Sequence, residues 1–204
     1  MVSSVTERVG RSVGLGIAGW IALCIAVAVP FAGTESGAER TVEGVRFVGV
    51  YEEEGFSLRL HNAALLRYKI VFRGYVVGLY LPEGADPGNA LGEVPKRLEF
   101  HYFWKIPGPE FGKAGEEILT RNVDRQTVTA LRDRLDRINR AYKDVKPGDR
   151  YALTYRPGKG TELSFNGKPL VLVEGDDFAA AYFSIWLGKK PIDEDLKNEL
   201  LRKG

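Results

Sequence analysis

Alternating apolar and polar side chains run through the middle of the chain and predict β-strands there. Over residues 97–104 the apolar side chains recur at every second position, which places them on one face of a strand. These residues are Leu98, Phe100, Tyr102 and Trp104. Weaker alternation predicts a first strand over residues 41–51, and a run rich in β-branched and aromatic residues predicts two or three strands over residues 56–81.

Helical spacing of apolar residues is confined to the second half of the predicted domain. The clearest apolar stripe covers residues 125–142 and predicts one continuous helix with charged residues on its outer side. A weaker stripe predicts a helix over residues 110–122. A third helix is expected over residues 178–187, capped by Asp176 or Asp177, and a short helix follows it.

Turn signals separate the remaining strands and set the fold class. Residues 151–155 and 162–165 flank a Pro-Gly-Lys-Gly segment and predict a hairpin, and Asn166-Gly167 is a tight-turn pair before the apolar residues 170–173. Consecutive hairpins favour an antiparallel sheet. Because amphipathic helices accompany this sheet, we predict an α+β domain with helices packed on one face.

The start of the sequence has the pattern of a targeting segment. Arg8 and Arg11 precede an uncharged, largely apolar run over residues 12–34, as in a secretory signal peptide. The run is also long enough to span the roughly 30 Å hydrocarbon core of a bilayer, so an uncleaved transmembrane anchor is the alternative. Both interpretations place the rest of the chain outside the cytoplasm.

Two small-x-small sequences would allow a signal peptidase to cut. One cut follows Ala28 and the other follows Ala38, and we prefer the second because Pro30 would lie just inside the new terminus at the first. We therefore predict a targeting segment over residues 1–38 and one domain over residues 39–204. The domain is expected in the periplasm or another extracytoplasmic compartment, with membrane contact only through the N-terminal segment.

Composition removes several classes of function. The 29 Lys+Arg residues nearly balance the 27 Asp+Glu residues, so the chain lacks the basic excess of nucleic-acid-binding proteins. The single cysteine, Cys24, excludes an intramolecular disulfide, and the two histidines, His61 and His101, leave little for a metal site. Within the predicted domain, residues 39–204, neither a GxGxxG sequence nor a phosphate-binding loop occurs, so we expect no cofactor.

Three motifs follow one another along the predicted domain, within residues 62–81, 142–167 and 177–191. The first joins Asn-Ala-Ala-Leu-Leu-Arg to a strand that ends in Gly-Leu-Tyr-Leu. The second joins Tyr-Lys-Asp-Val-Lys-Pro-Gly-Asp to an Asn-Gly turn, and the third joins Asp-Phe-Ala-Ala-Ala to Ile-Trp-Leu-Gly. In this order they resemble the chalcone isomerase fold family, and more closely its bacterial chalcone-isomerase-like branch.

The resemblance implies an open-faced β-sandwich, in which a layer of helices covers a large antiparallel sheet and a cleft lies between them. The activities of the family divide. Plant-type enzymes cyclise a chalcone to a flavanone by attack of a phenolate on an enone, whereas other members bind fatty acids or serve as non-catalytic helpers.

Arg67 occupies the place of the family arginine that stabilises negative charge on the enolate oxygen. A charge within the apolar run Ala-Ala-Leu-Leu-Arg is costly unless an anion pairs with it. Three interpretations remain open: Arg67 pairs with a carboxylate of the protein, it contacts a ligand anion, or it reaches water at a strand edge.

The other catalytic residues of the family are mostly absent. When the family asparagine is placed on Asn122, Gly115 falls at its tyrosine and Ile118 at its lysine. The family threonine falls near Tyr75, and a polar pair of the penultimate helix falls near Trp186. We therefore do not expect efficient flavonoid chemistry.

The sequence predicts a non-catalytic protein that binds a small apolar or amphipathic acid, such as a fatty acid, in a cleft beside Arg67. One alternative is an isomerase or intramolecular lyase acting on an enone, with Arg67 as the catalytic electrophile. The other is a scaffold or accessory protein without a ligand. The predicted ligand-binding residues are Arg67, Phe72, Tyr75, Val77, Ile118, Asn122, Tyr182 and Trp186.

Overall fold

The strands in the described part of this protein form two antiparallel sheets. The structure is a computed structural model that describes residues 38–53, 55–68 and 72–203, so the predicted targeting segment lies outside the described residues. The strands are β1 (Arg40–Val42), β2 (Val45–Phe47), β3 (Val50–Glu53), β4 (Phe56–Tyr68), β5 (Phe72–Leu81), β6 (Lys96–Tyr102), β7 (Arg150–Arg156), β8 (Gly160–Phe165) and β9 (Lys168–Val173). Strands β3 to β9 make one seven-stranded sheet in which neighbours in the chain are neighbours in the sheet.

Five α-helices lie within the described residues. They are α1 (Gly108–Asn122), α2 (Arg125–Ala130), α3 (Arg132–Ala141), α4 (Asp176–Leu187) and α5 (Glu194–Leu201), and a one-turn 3-10 helix covers Pro87–Asn89. None of the helices in this part of the chain is long and apolar enough to cross a bilayer.

The main core lies between the large sheet and its helices. On β6, the predicted alternation places Leu98, Phe100 and Tyr102 in this core, where each is 5% exposed or less. The strand ends at Tyr102, so Trp104 does not continue the buried face and is 54% exposed. Buried side chains of α1, α3, α4 and α5 complete the core. This arrangement confirms the predicted α+β fold with helices on one face.

A short hairpin covers part of the opposite face of the sheet. Strands β1 and β2 pair across a two-residue turn, in which Glu43 and Gly44 have φ angles of 50° and 78°. Phe47 of this hairpin is fully buried against the sheet. It fits there because Gly78 of β5 has no side chain; a Cβ atom at Gly78 would lie 2.9 Å from the Phe47 ring.

Two predicted elements differ from the structure. The single strand predicted over residues 41–51 is three short strands, because the turn at Glu43 and Gly44 reverses the chain. The continuous helix predicted over residues 125–142 is interrupted at Leu131, whose ψ of −2° departs from the helical value. The apolar stripe identified the buried side of α3, with Leu135 and Ile138, and the partly buried Val128 of α2, but periodicity does not report whether the helix axis is continuous. A smaller difference is that Gly175, rather than either aspartate, caps α4.

A buried lysine opens strand β6. Lys96 is 0% exposed, its Nζ donates to the Gly92 carbonyl at 2.8 Å, and it lies 4.2 Å from the centroid of the Tyr155 ring. The Tyr155 hydroxyl in turn donates to Asp176 Oδ1 at 2.7 Å. Burial lowers the pKa of Lys96 from 10.5 to about 8, and the negative charge of Asp176 opposes part of this shift.

We expect the variant Lys96→Met to show how this burial couples stability to pH. Between pH 8 and 10.5, Lys96 is protonated in the unfolded chain but has lost its proton in the folded protein. The free energy of unfolding of the wild-type protein therefore increases with pH in this window. The wild-type value minus the variant value should therefore rise across this window, by up to about 3 kcal/mol. Urea unfolding at a series of pH values measures the difference.

Lys105→Met, at an exposed lysine, controls for the loss of one positive charge. A difference between wild type and Lys96→Met that stays constant from pH 8 to 10.5 would contradict the assignment.

Candidate functional site

A cavity of about 230 Å³ lies between the inner face of the sheet and the helices. Eight of the residues that line it are aromatic, and among all its described lining residues only Glu110 carries a charged side chain. The sheet contributes Tyr75, Phe100, Tyr102, Tyr151, Leu153 and Leu163. The helices and their connections contribute Ile106, Glu110, Phe111, Ala114, Gly115, Ile118, Tyr142, Tyr182, Ile185, Trp186 and Ile192.

Helix α1 leaves this space open because it presents small residues to the cavity. At Gly115 an added Cβ atom would meet only Ile185 Cδ1, at 3.5 Å, which is an ordinary contact distance. A larger side chain at this position would extend into the cavity. The aromatic rings of the sheet are held by edge-to-face contacts, such as that between Tyr102 and Phe111 at 5.4 Å.

Hydroxyl groups introduce polarity into these aromatic walls. The hydroxyls of Tyr142 and Tyr182 are 2.9 Å apart and share one hydrogen bond. Trp186 donates from Nε1 to the Tyr75 hydroxyl at 2.9 Å, which leaves the hydroxyl hydrogen of Tyr75 uncommitted. The Tyr151 hydroxyl is fully engaged, because it accepts from the backbone N–H of Lys143 and donates to its carbonyl.

Tyr102 differs from these tyrosines in its hydrogen bonding. It lines the cavity and is 5% exposed, yet its hydroxyl has no hydrogen-bond partner among the described residues. Burial raises the pKa of Tyr102 well above its ordinary value, and the nearby phenols of Tyr75, Tyr142 and Tyr151 raise it further. Burial likewise raises the pKa values of Tyr75, Tyr142 and Tyr182. All four side chains are therefore neutral hydroxyl donors at physiological pH.

A more polar groove of about 280 Å³ adjoins the cavity at the end of β4. Ala114, Ile118 and Ile192 line both spaces, so the groove and the cavity are neighbours. The described residues that line the groove include two arginines and two acidic side chains. Its remaining lining residues are Leu66, Arg67, Glu117, Arg121 and Asp193.

Arg67 lies in this groove rather than in the cavity. Its side chain is 56% exposed, and Nη2 is 3.3 Å from Glu43 Oε1. The sequence led us to expect a guanidinium surrounded by apolar side chains, and the structure differs because the pairing of β4 with β5 is irregular between Leu66 and Arg67. Two of the three open interpretations therefore apply together: Arg67 contacts a protein carboxylate and also reaches water.

The other predicted ligand-binding residues fall into two groups. Tyr75, Ile118, Tyr182 and Trp186 line the cavity. Val77, Asn122 and Phe72 are not among its described lining residues: Val77 is fully buried in the core, and Asn122 bonds to the backbone of Ile118 and Lys190. Phe72 begins β5, and its side chain lies outside the described part of the structure.

The sequence analysis did not identify several residues of the cavity, although the hydrophobic pattern had placed them on buried faces. The alternation of β6 placed Phe100 and Tyr102 on one face, and the apolar stripe of residues 125–142 ended at Tyr142. Neither pattern indicated that these rings border an open space. Among the described residues, no group of three or more His, Cys, Asp or Glu side chains is placed to hold a metal ion.

Comparison with known proteins places this chain in a family. No curated protein matches it. The crystal structure of a fatty-acid binding protein from Arabidopsis thaliana has a similar fold, with a TM-score of 0.60 over 80% of this chain and 96% of that chain. Sequence identity with that protein is 13%, so the likeness shows a shared fold. The profile of the chalcone isomerase-like family matches residues 39–202, and the chain belongs to that family.

Proposed function

We propose that this protein binds a small apolar acid of the fatty-acid type without transforming it. The apolar chain lies in the aromatic cavity, and the carboxylate lies in the adjoining groove beside Arg67. The observation that carries the proposal is a cavity of about 230 Å³ with almost no charged lining, next to a groove that contains an exposed guanidinium. The fatty-acid binding protein of similar fold supports the same ligand class.

The cavity volume indicates the size of the chain. At about 30 Å³ for a group the size of a water molecule, the cavity has room for about eight such groups. A methylene group occupies a similar volume, so the cavity suits a medium-length chain of about eight buried carbons. We therefore take decanoic acid as the first probe, with its carboxyl end in the groove.

The two parts of the site contribute unequally to affinity. Burial of each methylene group contributes about 0.8 kcal/mol. An ion pair at an exposed arginine contributes at most about 1 kcal/mol, because water and salt screen it. The cavity therefore supplies most of the affinity, and Arg67 mainly sets the direction in which the acid enters.

The alternatives from the sequence are less well supported. A scaffold with a filled core does not account for the cavity. An isomerase would need a cation held in a dry site, where it strongly stabilises an oxyanion. Arg67 is 56% exposed and lies 3.3 Å from a glutamate oxygen. Water and this carboxylate both weaken the electric field of its guanidinium at a bound ligand.

We also propose that the domain is exported, on the strength of the basic and apolar pattern at the start of the sequence. The family match begins at residue 39 and β1 begins at Arg40. Cleavage after Ala38 would therefore leave the matched domain whole.

Filling the cavity should abolish binding while leaving the fold intact. We expect Gly115→Leu to weaken decanoic acid binding at least about tenfold, because the new side chain occupies space that the chain needs. The control Gly115→Ala should retain binding and raise the free energy of unfolding by about 1 kcal/mol, since alanine favours a helix more than glycine does. Isothermal titration calorimetry and urea unfolding measure the two effects. Wild-type affinity in a folded Gly115→Leu variant would place the ligand elsewhere.

Charge changes at Arg67 and at its partner Glu43 should shift affinity in opposite directions. Arg67→Gln removes the attraction for the carboxylate, and Glu43→Gln removes the competing anion. We expect a weakening and a strengthening of decanoic acid binding, each of about fivefold at most at low salt and absent at high salt. Arg59→Gln is the matched control, because Arg59 pairs with Glu83 and does not line the groove.

The same variants test the isomerase alternative. Turnover of a chalcone that is present in the wild-type protein and lost in Arg67→Gln would contradict a purely binding role. Equal decanoic acid affinity in wild type, Arg67→Gln and Glu43→Gln would show that the carboxylate does not lie beside Arg67.

Export predicts a defined mature protein. We expect the chain recovered from the extracytoplasmic fraction of its host to begin at Glu39, as measured by intact mass and N-terminal sequencing. Full-length chain in the membrane fraction would instead support the anchor. Full-length chain in the soluble cytoplasmic fraction would contradict both.

A further inference from the structure

Several tyrosine hydroxyl groups in the wall of the aromatic cavity have a hydrogen that is not donated to any acceptor among the described residues. The hydroxyl hydrogen of Tyr75 is free because this oxygen already accepts from Trp186. In the Tyr142–Tyr182 pair, only one hydrogen is used between the two oxygens, so whichever hydroxyl accepts keeps its own hydrogen. Tyr102 has a third uncommitted hydroxyl hydrogen. A plain hydrocarbon chain would leave all of these donors buried and unpaired, which is costly.

The rings that carry these donors are neighbours in the cavity wall. The rings of Tyr75 and Tyr102 pack with their centroids 5.6 Å apart, and the rings of Phe111 and Tyr142 stack at 5.0 Å beside them. Tyr102 is 5% exposed, and Tyr182 is 3% exposed. The bond from Trp186 polarises the Tyr75 hydroxyl, which strengthens it as a donor.

The character of the site selects a neutral acceptor over an anion. Among the described lining residues there is no cation, and Glu110 would repel a carboxylate. A carboxylate buried without a cation is costly, whereas a ketone oxygen is uncharged and accepts two hydrogen bonds. A hydroxyl on the ligand would accept a bond but bring another donor into a site that already has an excess of them.

The distance from Arg67 indicates where this acceptor lies along the ligand. Leu66, Tyr75 and Tyr102 are aligned across β4, β5 and β6, and Arg67 follows Leu66. Two strand spacings of about 4.8 Å separate the end of β4 from Tyr102, which is roughly 10 Å. An acid whose carboxylate lies in the groove therefore brings the far part of its chain to the hydroxyls.

We infer that the ligand is an oxo-substituted acid, with a ketone toward the methyl end of its chain that accepts two hydrogen bonds, one from Tyr102 and one from a neighbouring hydroxyl among Tyr75, Tyr142 and Tyr182. This inference rests on the proposed function and specifies its ligand class. No covalent step is involved. Tyr102 is a specificity-determining residue in this arrangement, since its hydroxyl has no other partner among the described residues.

Calorimetric titration with three acids of equal length tests the inference. The probes are decanoic acid, an oxodecanoic acid with its ketone next to the methyl end, and the hydroxy acid with the same position substituted. Wild-type protein should bind the oxo acid about tenfold more tightly than decanoic acid, as two hydrogen bonds outweigh the loss of water from the ketone. Tyr102→Phe should remove most of this preference, because it deletes a donor to the ketone and also removes the hydroxyl that a plain chain leaves unpaired.

Tyr151→Phe is the matched control, because its hydroxyl lies in the same wall but is committed to the backbone of Lys143. It should lower stability and leave the preference for the oxo acid intact. Infrared spectra of an isotope-labelled ketone give an independent readout: the carbonyl stretch should move to lower frequency in wild type and return toward its value in apolar solvent in Tyr102→Phe.

The outcomes separate the inference from the proposed function. If no acid binds, the proposed function fails. If decanoic acid and the oxo acid bind equally, or the preference survives in Tyr102→Phe, the protein binds acids but the ketone assignment is wrong. If the hydroxy acid binds at least as tightly as the oxo acid, the assignment of a ketone is likewise overturned.

Discussion

Aromatic side chains on the inner face of the sheet are the constraint on which the structure depends. Alternation along β6 and β7 turns Phe100, Tyr102 and Tyr151 toward the helices, where the rings meet mainly edge to face. Such rings need a cover of helices, but they also keep α1 at a distance that its small residues do not fill. The same side chains therefore build the core and leave the space within it.

Much of the fold was readable from the sequence because its signals are local. Alternation predicted β6, the turn pair Asn166-Gly167 marked the reversal between β8 and β9, and the helical stripes identified the buried sides of α1, α3 and α4. The elements that were predicted wrongly also have local causes. Glu43 adopts a positive φ that is unusual for a glutamate, so the hairpin between β1 and β2 was not expected.

The site was harder to predict, because a cavity is a property of opposing surfaces. Tyr75, Ile118, Tyr182 and Trp186 were proposed as pocket walls, and they do line the cavity, whereas Val77 belongs to the same apolar pattern but packs completely. No feature of the sequence separates Tyr182 from Val77 in this respect. The exposure of Arg67 could not be predicted from the sequence either. It follows from an irregular pairing of β4 with β5 between Leu66 and Arg67, and the neighbouring residues give no sign of this irregularity.

The order of strands in the large sheet has a consequence for how the chain acquires its site. From β3 to β6, and again from β7 to β9, each strand pairs with the strand made just before it, so these two halves of the sheet require only short loop closures. The pairing of β6 with β7 is different, since α1, α2 and α3 lie between them in the chain. Tyr102 on β6 and Tyr151 on β7, which both line the cavity, are therefore brought together by the longest loop closure between neighbouring strands of this sheet.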